Sequence, residues 1–390
     1  MAKKILILSH KPPFPKADGG AIAIAQLLEI LLPKNEVTFL SIETDKHPSS
    51  LQIKDPHLNF QSVYVNTKIS LLEVVKNLFR NKSYILSRFT CKAYEFALKT
   101  ILKKTNFDIV VFESLFTSSY LPIVKKISSA TLIYRSHNIE HQIWGEHRKS
   151  STNNPFINAY LKLQAIRLKK EEIAFWNSVD RIACISLNDL KVISTYTKVK
   201  INLLGLFIKK IDKKINNSFE HTDFFHLGAM DWKPNQVGIQ WICDKVWPTF
   251  NKIYPLSTFH IAGRGMPKSL LMKKRENIIN HSEVLSAEHF ISKHKVMLVP
   301  LFSGSGIRVK IIEGLAHGKC IIGTSIALKG ITCTHMKNII IADSVEDFIC
   351  AMEFCIKNPK KVNQIEVQAK KFALKNFSKE IFLNQVEKIF

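Results

Sequence analysis

The fold of this protein is decided by residues 299–319, which read VPLFSGSGIRVKIIEGLAHGK. The apolar run Lys295–Leu301 predicts a buried strand, and the spacing of the apolar side chains predicts a helix over Ile307–His317. A buried strand that passes through a short glycine loop straight into a helix is typical of a parallel sheet with helices on both faces. The stretch therefore predicts a doubly wound α/β fold.

Two cations stand at the start of that helix. Arg308 and Lys310 occupy its first turn, where positive charge is unfavourable to the helix dipole, and an anionic ligand would relieve this conflict. Glu313 lies three residues after Lys310, so the two side chains can share one helix face. The loop amides and Arg308 suit phosphates, and Glu313 suits the two hydroxyls of a ribose. The alternative is a solvated Lys–Glu pair on a core helix.

The alternation of apolar runs and helical stretches occurs twice along the 390 residues, which are more than one ordinary core accommodates. Strands are predicted in the first half at Lys4–Ser9, Phe107–Glu113 and Ala130–Tyr134, and in the second half at Phe224–Leu227 and Leu256–Ala262. Because ligands bind at the carboxyl ends of parallel strands, a cleft between two such domains is the expected site.

The domain boundaries follow from a change in composition. Lys, Asn and Asp accumulate at residues 209–222, which we interpret as a linker. We therefore expect one Rossmann-like domain over residues 1–208, a second over residues 223–376, and a C-terminal helix over residues 377–390.

The net charge of +24, from 56 Lys and Arg against 32 Asp and Glu, has three interpretations. One is a solvated lysine-rich surface, the second is attraction to an anionic membrane, and the third is nucleic-acid binding. Because no RNA- or DNA-binding motif is present, we expect no nucleic-acid partner. The basic, aromatic-rich segment Lys76–Lys104 either rests on a membrane or forms an ordinary helix pair with a lysine-rich exterior.

The seven cysteines are scattered and contain no Cys-x-x-Cys pair, which argues against a disulfide framework and against a zinc site. A reducing compartment fits this pattern. No apolar run approaches the ~20 residues that a helix needs to cross a bilayer. We therefore expect a cytoplasmic protein, with peripheral contact at the inner membrane face as the alternative.

Two further glycine-containing loops join a predicted strand to a predicted helix. Gly19 and Gly20 follow the first strand, where free backbone amides suit phosphate or sugar oxygens, and a plain turn is the alternative. Gly228 and Lys233 lie in the stretch FHLGAMDWKPN, residues 225–235, with Lys233 available for a phosphate. The alternative is a loop that these side chains only shape, with Asn235 as a helix cap.

Two other loops carry ionisable groups at a strand's end. His137 lies in the stretch RSHNIEH, residues 135–141, placed to hydrogen-bond a donor sugar or a departing phosphate, or else to brace its own loop. No Cys or third His lies near it at ligand spacing, so no metal is expected there. Gly263 and Arg264 end another strand, where an arginine suits a diphosphate clamp. A surface arginine in a turn is the alternative.

Together these segments resemble the family-four retaining glycosyltransferases of the GT-B fold, in which two Rossmann-like domains face across a cleft. The resemblance extends over nearly the whole chain. It is carried by residues 228–235 (GAMDWKPN), 135–144 (RSHNIEHQIW) and 299–330.

The resemblance implies transfer of a hexose-type sugar from a nucleotide-diphosphate sugar, held by the C-terminal domain, to a glycan or lipid-linked acceptor in surface polysaccharide or glycoconjugate synthesis. It implies retention of configuration, no metal or other cofactor, and a final helix that packs back on the N-terminal domain. The alternatives are a nucleotide-sugar epimerase on the same scaffold and a non-enzymatic polyanion-binding protein.

The resemblance also implies roles for individual residues. Glu313 would bind the ribose, His137 would lie at the sugar, and Arg308 or Lys310 would neutralise the leaving diphosphate. Many members of the family carry a glutamate eight residues before the ribose-binding one. Here that position is Ser305, which leaves the sugar open and makes Ser305 and Gly306 expected donor contacts. Gly19 and Gly20 would lie near the phosphates.

Overall fold

A computed structural model describes the chain except for Met1, Ala17, residues 50–54, 152–153, 209–222 and 272–274, and Ser305. The described chain divides into two compact units, one formed by Met1–Leu206 with Phe382–Phe390 and the other by Phe207–Ile381. The predicted linker at residues 209–222 lies outside the described residues.

The first unit is built on a seven-stranded sheet of order β3-β2-β1-β4-β5-β6-β7, in which all neighbouring strands are parallel. Its strands are β1 (Lys4–Ser9), β2 (Glu36–Glu43), β3 (Leu58–Tyr64), β4 (Ile109–Glu113), β5 (Thr131–Ser136), β6 (Arg181–Cys184) and β7 (Lys200–Leu203). Its helices are α1 (Gly19–Leu31), α2 (Leu71–Leu78), α3 (Tyr84–Ser87), α4 (Lys92–Lys104), α5 (Leu121–Ile127), α6 (Glu140–Ser151), α7 (Pro155–Trp176) and α8 (Leu187–Ser194). Central strands such as β4 are buried along their whole length, because helices cover both faces of a parallel sheet.

The second unit is built on a six-stranded parallel sheet of order β10-β9-β8-β11-β12-β13, the strand order of a dinucleotide-binding domain. Its strands are β8 (Asp223–Leu227), β9 (Thr258–Ala262), β10 (Ile278–Ser282), β11 (Val296–Val299), β12 (Cys320–Gly323) and β13 (Ile340–Ile341). Its helices are α9 (Lys233–Trp241), α10 (Trp247–Ile253), α11 (Lys268–Leu271), α12 (Ala287–Lys293), α13 (Val309–Ala316), α14 (Val345–Lys357) and α15 (Pro359–Phe377). The prediction of two doubly wound α/β domains is confirmed.

One predicted helix is interrupted. The apolar spacing of Asn235–Phe250 predicts a single helix, but α9 ends at Trp241 and a π-helical turn, Ile242–Val246, precedes α10. Pro248 lies in the first turn of α10, and proline has no backbone N–H to donate to the preceding turn. The widened turn accommodates that missing donor.

The C-terminal segment Phe382–Phe390, which contains most of the last helix, α16 (Lys379–Ile389), belongs to the first unit. Phe382, Val386 and Ile389 are buried. Within this unit Arg181 Nη1 donates to the Ile389 carbonyl at 2.5 Å, and Gln385 Oε1 accepts from the Gly205 amide at 3.0 Å. None of the described helices is both long and apolar enough to span a bilayer.

Each sheet reverses its strand order next to its first strand. The reversal lies between β1 and β4 in the first unit and between β8 and β11 in the second. Ligands of open parallel sheets bind outside the carboxyl ends of the strands at such a reversal. The residues that follow Ser9, Glu113, Leu227 and Val299 are therefore the places to look for a site.

Candidate functional site

In the second unit, three polar side chains meet where β8 and β11 end. Lys310 Nζ, from α13, donates to Asn235 Oδ1 at 2.7 Å and lies 3.2 Å from His226 Nε2. His226 Nδ1 lies 2.8 Å from the Leu298 carbonyl, so Nδ1 carries the proton and Nε2 accepts from Lys310. Asn235 Nδ2 in turn donates to the Ala229 carbonyl at 2.8 Å. This Lys310 cluster, of His226, Asn235 and Lys310, holds the ammonium group in one position.

Gly228 leaves the room that the Lys310 cluster occupies. A Cβ atom at Gly228 would lie 2.6 Å from Lys310 Nζ and 2.9 Å from Asn235 Nδ2, too close for any other residue without displacement. A Cβ atom at Gly263 would lie 1.8 Å from the Gly228 carbonyl oxygen. The predicted glycines thus let two loops and a lysine pack together at the strand ends.

Burial shifts the pKa values of two ionisable groups on α13. Burial, reinforced by Arg308, lowers the pKa of Lys310 from 10.5 to about 7. Burial raises the pKa of Glu313 from 4.5 to about 7. No described residue donates a hydrogen bond to the Glu313 carboxyl group. An anion beside Lys310 would raise its pKa again, and hydroxyl donors would lower that of Glu313, so both groups are suited to a polar ligand.

Arg308 is the N-cap residue of α13 and is buried. Its Nη1 donates to the Gly306 carbonyl at 2.8 Å, and its guanidinium lies 5.5 Å from the centre of the Trp232 ring. Gly306 has a φ of +78°, a backbone conformation that glycine adopts readily. These contacts hold the glycine loop against Trp232. The neighbouring Ser305, an expected donor contact, lies outside the described residues.

The structure does not bring Lys233 and Arg264 to the Lys310 cluster. Lys233, the first residue of α9, is exposed and lines a separate groove with Gln236 and Asp244, because side chains two positions apart on a helix point in different directions. Arg264 forms an exposed ion pair with Asp231 at 3.2 Å.

In the first unit, Glu113 joins two predicted motif residues. Arg135 Nη1 donates to Glu113 Oε1 at 3.0 Å, and His137 Nε2 lies 2.5 Å from Glu113 Oε2. All three residues are buried. Burial disfavours a charged Glu113, but Arg135 and His137 outweigh it and lower its pKa to about 2. The first unit therefore holds an ionised carboxylate at the carboxyl end of β4.

Gly19 and Gly20 open α1 beside a buried lysine. Lys11 Nζ lies 2.6 Å from Asp18 Oδ1, and Asp18 caps the helix by accepting from the Ala21 amide at 2.9 Å. A Cβ atom at Gly20 would lie 2.6 Å from Lys11 Nζ. Gly20 thus makes room for Lys11, a contact that the sequence did not reveal.

Residues 221–358 match the family model described as glycosyl transferases group 1. This part of the chain is a glycosyltransferase domain. A relative in Klebsiella pneumoniae, an uncharacterized 44.6 kDa protein in the cps region, is 20% identical over 97% of this chain and 98% of its own. The match of residues 221–358 to the glycosyltransferase family model favours a glycosyltransferase over an epimerase or a polyanion-binding protein.

Solved structures resemble the whole chain, and two of them serve as examples. Sucrose-phosphate synthase (tll1590) from Thermosynechococcus elongatus has a TM-score of 0.69 at 12% identity, with 99% of this chain and 98% of that chain covered. Anabaena Alr3699/HepE in complex with UDP has a TM-score of 0.69 at 10% identity, with 99% of both chains covered. These likenesses show the fold, two Rossmann-like domains of the GT-B type.

Sequence patterns missed two groups of residues that surround the candidate sites. In the glycosyltransferase domain, His226 and Asn235 hold Lys310 from 84 and 75 positions away, and Asn235 is not the helix cap, which is Trp232. In the first unit the missed residue is Glu113. Its signal was present, because a lone carboxylate ends an otherwise apolar buried strand, and such a charge is almost always paired.

Proposed function

We propose that this chain transfers a hexose-type sugar from a nucleotide-diphosphate sugar to a glycan or lipid-linked acceptor, with retention of configuration, as a family-four enzyme. The observation that carries the proposal is the Lys310 cluster, which holds an ammonium group where β8 and β11 end, one turn before the carboxyl group of Glu313 on the same helix. The UDP complex of the structurally similar HepE supports a nucleotide donor. The relative in the cps region supports a role in surface polysaccharide synthesis.

In this proposal the glycosyltransferase domain binds the donor. Glu313 accepts hydrogen bonds from the ribose hydroxyls, and the backbone at Gly228 and Gly306 approaches the phosphates. The bond between the sugar C1 and the diphosphate oxygen breaks, the acceptor oxygen bonds to C1, and the acceptor proton passes to the leaving phosphate. Lys310 and Arg308 stabilise the negative charge that develops on the diphosphate. These protein cations supply the charge without a metal.

The proposed role of His137 is to accept a hydrogen bond from a sugar hydroxyl. Burial outweighs the nearby Glu113 and lowers the pKa of His137 below 6.5, so the ring is neutral at pH 7. Glu113 accepts the Nε2 proton, which leaves Nδ1 as an acceptor with no described partner. A neutral acceptor suits a hydroxyl donor rather than a phosphate. Of the two ligands considered for His137, a donor sugar and a departing phosphate, we therefore prefer the sugar.

The ribose contact gives a direct test of the donor site. Wild-type protein is expected to bind UDP about ten- to a hundredfold more tightly than 2′,3′-dideoxy-UDP, because hydrogen bonds to a charged group contribute about 1.5–3 kcal/mol. Glu313→Gln should bind the two ligands almost equally, as measured by calorimetry. Glu346→Gln, an exposed glutamate on α14, is the matched control. Full discrimination by Glu313→Gln would rule out this role for Glu313.

A helix with its apolar side turned outward supports a lipid-linked acceptor. On and beside α2, Leu71, Leu72 and Phe79 are 80%, 75% and 89% exposed. The buried side chain of α2 is the polar Asn77, which donates to the Lys82 carbonyl at 3.0 Å and accepts from Gln164 Nε2 at 2.8 Å.

This α2 patch, of Leu71, Leu72 and Phe79, lies among exposed basic residues such as Lys76 and Arg80. Exposed apolar side chains interspersed with cations are typical of helices that lie in a membrane interface. The segment Lys76–Lys104 that the sequence singled out starts after most of this patch. We propose that the α2 patch contacts an anionic membrane where lipid-linked acceptors reside.

Replacing the α2 patch tests the membrane contact. The triple variant Leu71→Ser/Leu72→Ser/Phe79→Ser is expected to lower binding to vesicles of phosphatidylcholine and phosphatidylglycerol by roughly 100-fold, since each apolar side chain that leaves water contributes about 1.5 kcal/mol or more when fully buried. Co-sedimentation measures the bound fraction. Leu256→Ser/Leu285→Ser, which removes exposed leucines of the second unit, should bind as wild type does. Equal loss in both variants, or none in either, would contradict the proposal.

A further inference from the structure

Three histidines of the second unit converge on one point. His260 lies on β9, His281 on β10, and His294 just before β11. One ring nitrogen from each lies within 4.8 Å of the other two, and His260 Nδ1 is 2.9 Å from His281 Nε2. The ring centres of His260 and His294 are 4.2 Å apart. We call these residues the His260 group.

Neighbouring oxygen atoms orient two of the rings. His294 Nδ1 lies 2.5 Å from Asp223 Oδ2, so it donates to that carboxylate and leaves Nε2 as a lone-pair donor. His260 Nε2 lies 3.1 Å from Thr258 Oγ1, which leaves Nδ1 to face His281. A histidine that binds a metal through one nitrogen almost always donates its other N–H to a carboxylate or another oxygen. Asp223 and Thr258 provide those partners.

One nitrogen–nitrogen distance in the His260 group is close to that of a metal site, and the others lie within 4.8 Å. Two imidazole nitrogens on one tetrahedral zinc ion lie roughly 3.3 Å apart, because each Zn–N bond is about 2.0–2.1 Å. The His260–His281 pair, at 2.9 Å, opens by only a few tenths of an ångström to reach this separation. The exposed His281 gives an ion access from solvent, while His294 is buried. Phe290 of α12 packs its ring against His294 with centres 4.5 Å apart and limits how that ring moves.

We propose that His260, His281 and His294 bind a divalent transition-metal ion, with Zn²⁺ as the best fit and solvent water as the fourth ligand. Neutral imidazole suits Zn²⁺ and related ions, and three histidines with one open position form a recognised zinc geometry. Such an ion would link β9, β10 and the start of β11. The site is separate from the Lys310 cluster, because Asp223 and His294 lie at the amino ends of β8 and β11 whereas Gly228 follows the carboxyl end of β8.

The test uses full-length protein whose affinity tag has been removed and whose metals have been stripped with EDTA. Wild type is expected to bind one Zn²⁺ per chain in calorimetry, to show the visible absorption of tetrahedral Co²⁺, and to gain roughly 5 °C in Tm at about 100 times the Kd. His281→Ala should weaken Zn²⁺ binding by at least about 100-fold. Asp223→Asn should weaken it by about 10- to 100-fold, as loss of an orienting partner does.

His289→Ala is the matched control, because His289 is an exposed histidine on α12 that forms no such group with other described residues. It should leave Zn²⁺ affinity and the Co²⁺ spectrum unchanged. Because His281 is exposed, its replacement should leave the Tm of metal-free protein near that of wild type, so a loss of binding reports the site and not the fold. The proposal is overturned if wild type binds Zn²⁺ no more tightly than His281→Ala, or if His289→Ala weakens binding as much.

Discussion

Lys310→Ala is expected to lower kcat/KM for sugar transfer by about 100- to 1,000-fold while the protein stays folded. Loss of one preorganised group that stabilises developing negative charge typically has an effect of this size. Lys310 is such a group, because Asn235 and His226 hold its ammonium at 2.7 and 3.2 Å at the strand ends where ligands bind. Steady-state rates with the nucleotide-sugar that wild type binds measure the effect.

The pH dependence of kcat/KM tests whether Lys310 and Glu313 are the groups whose protonation controls sugar transfer. Lys310 acts when protonated and Glu313 when ionised, and the pKa of each in the free protein is about 7. Wild-type kcat/KM should therefore rise as Glu313 loses its proton, fall as Lys310 loses its own, and peak near pH 7. Lys310→Ala should remove the alkaline fall, and Glu313→Gln the acid rise. Retention of both limbs in both variants would contradict the assignment.

Gly228→Ala tests the position of the Lys310 ammonium group without replacing Lys310 itself. Its Cβ atom would lie 2.6 Å from Lys310 Nζ, so we expect the ammonium to be displaced and UDP binding to weaken. Gly323→Ala is the matched control in the same unit, since its Cβ atom would meet no described atom closer than 3.5 Å. If both alanine variants bind UDP as wild type does, the position of Lys310 is unimportant for binding.

Glu113→Leu is expected to destabilise the first unit by about 3–5 kcal/mol. The substitution leaves the guanidinium of Arg135 buried without its carboxylate, and an uncompensated buried charge has a cost of this order. The double variant Glu113→Leu/Arg135→Met should recover most of the loss, because apolar side chains of similar volume replace a buried ion pair at little cost.

Hydrogen exchange followed by mass spectrometry locates the effect. Peptides of β4 and β5 should exchange faster in Glu113→Leu, whereas β8 and β11 should keep their protection. The pKa of Glu113 is lowered from 4.5 to about 2, so its stabilising effect is present above pH 4.5 and disappears as the pH falls through 2. The difference in unfolding free energy between wild type and Glu113→Leu should therefore become smaller as the pH falls from 4.5 towards 2. A difference that persists unchanged to pH 2 would exclude the ion pair as its origin.

The central strands were predictable because they are continuous apolar runs. Because helices cover both faces of the sheet, the middle of each strand is a continuous apolar run, Ile5–Leu8 in β1 and Ile109–Phe112 in β4, and polar residues occur only at the strand ends. A single sequence shows such a run without reference to any other strand. The edge strands β10 and β13 were not predicted. β10 is mostly exposed or half-buried, so its residues form no apolar run. β13 has only two residues, within the apolar run Ile339–Ala342, whose four residues are at the lower limit for a strand.

By itself, the sequence determined the local chemistry of one helix. The glycine loop, Lys310 and Glu313 lie within one short stretch, and helix geometry alone brings the two side chains to one face. It also placed His137 at a strand end. These features required no knowledge of contacts between distant residues.

Only the tertiary structure decided which partners those residues have. Parallel pairing of β8 with β11 brings His226 and Asn235 to Lys310, and pairing of β4 with β5 brings Glu113 to the Arg135 motif. Packing also turned the apolar side of α2 outward and gathered three histidines that share no ligand spacing. The physical reason is that the packing of the whole unit sets strand register and helix orientation. Such packing produces no repeating pattern of residues in the sequence.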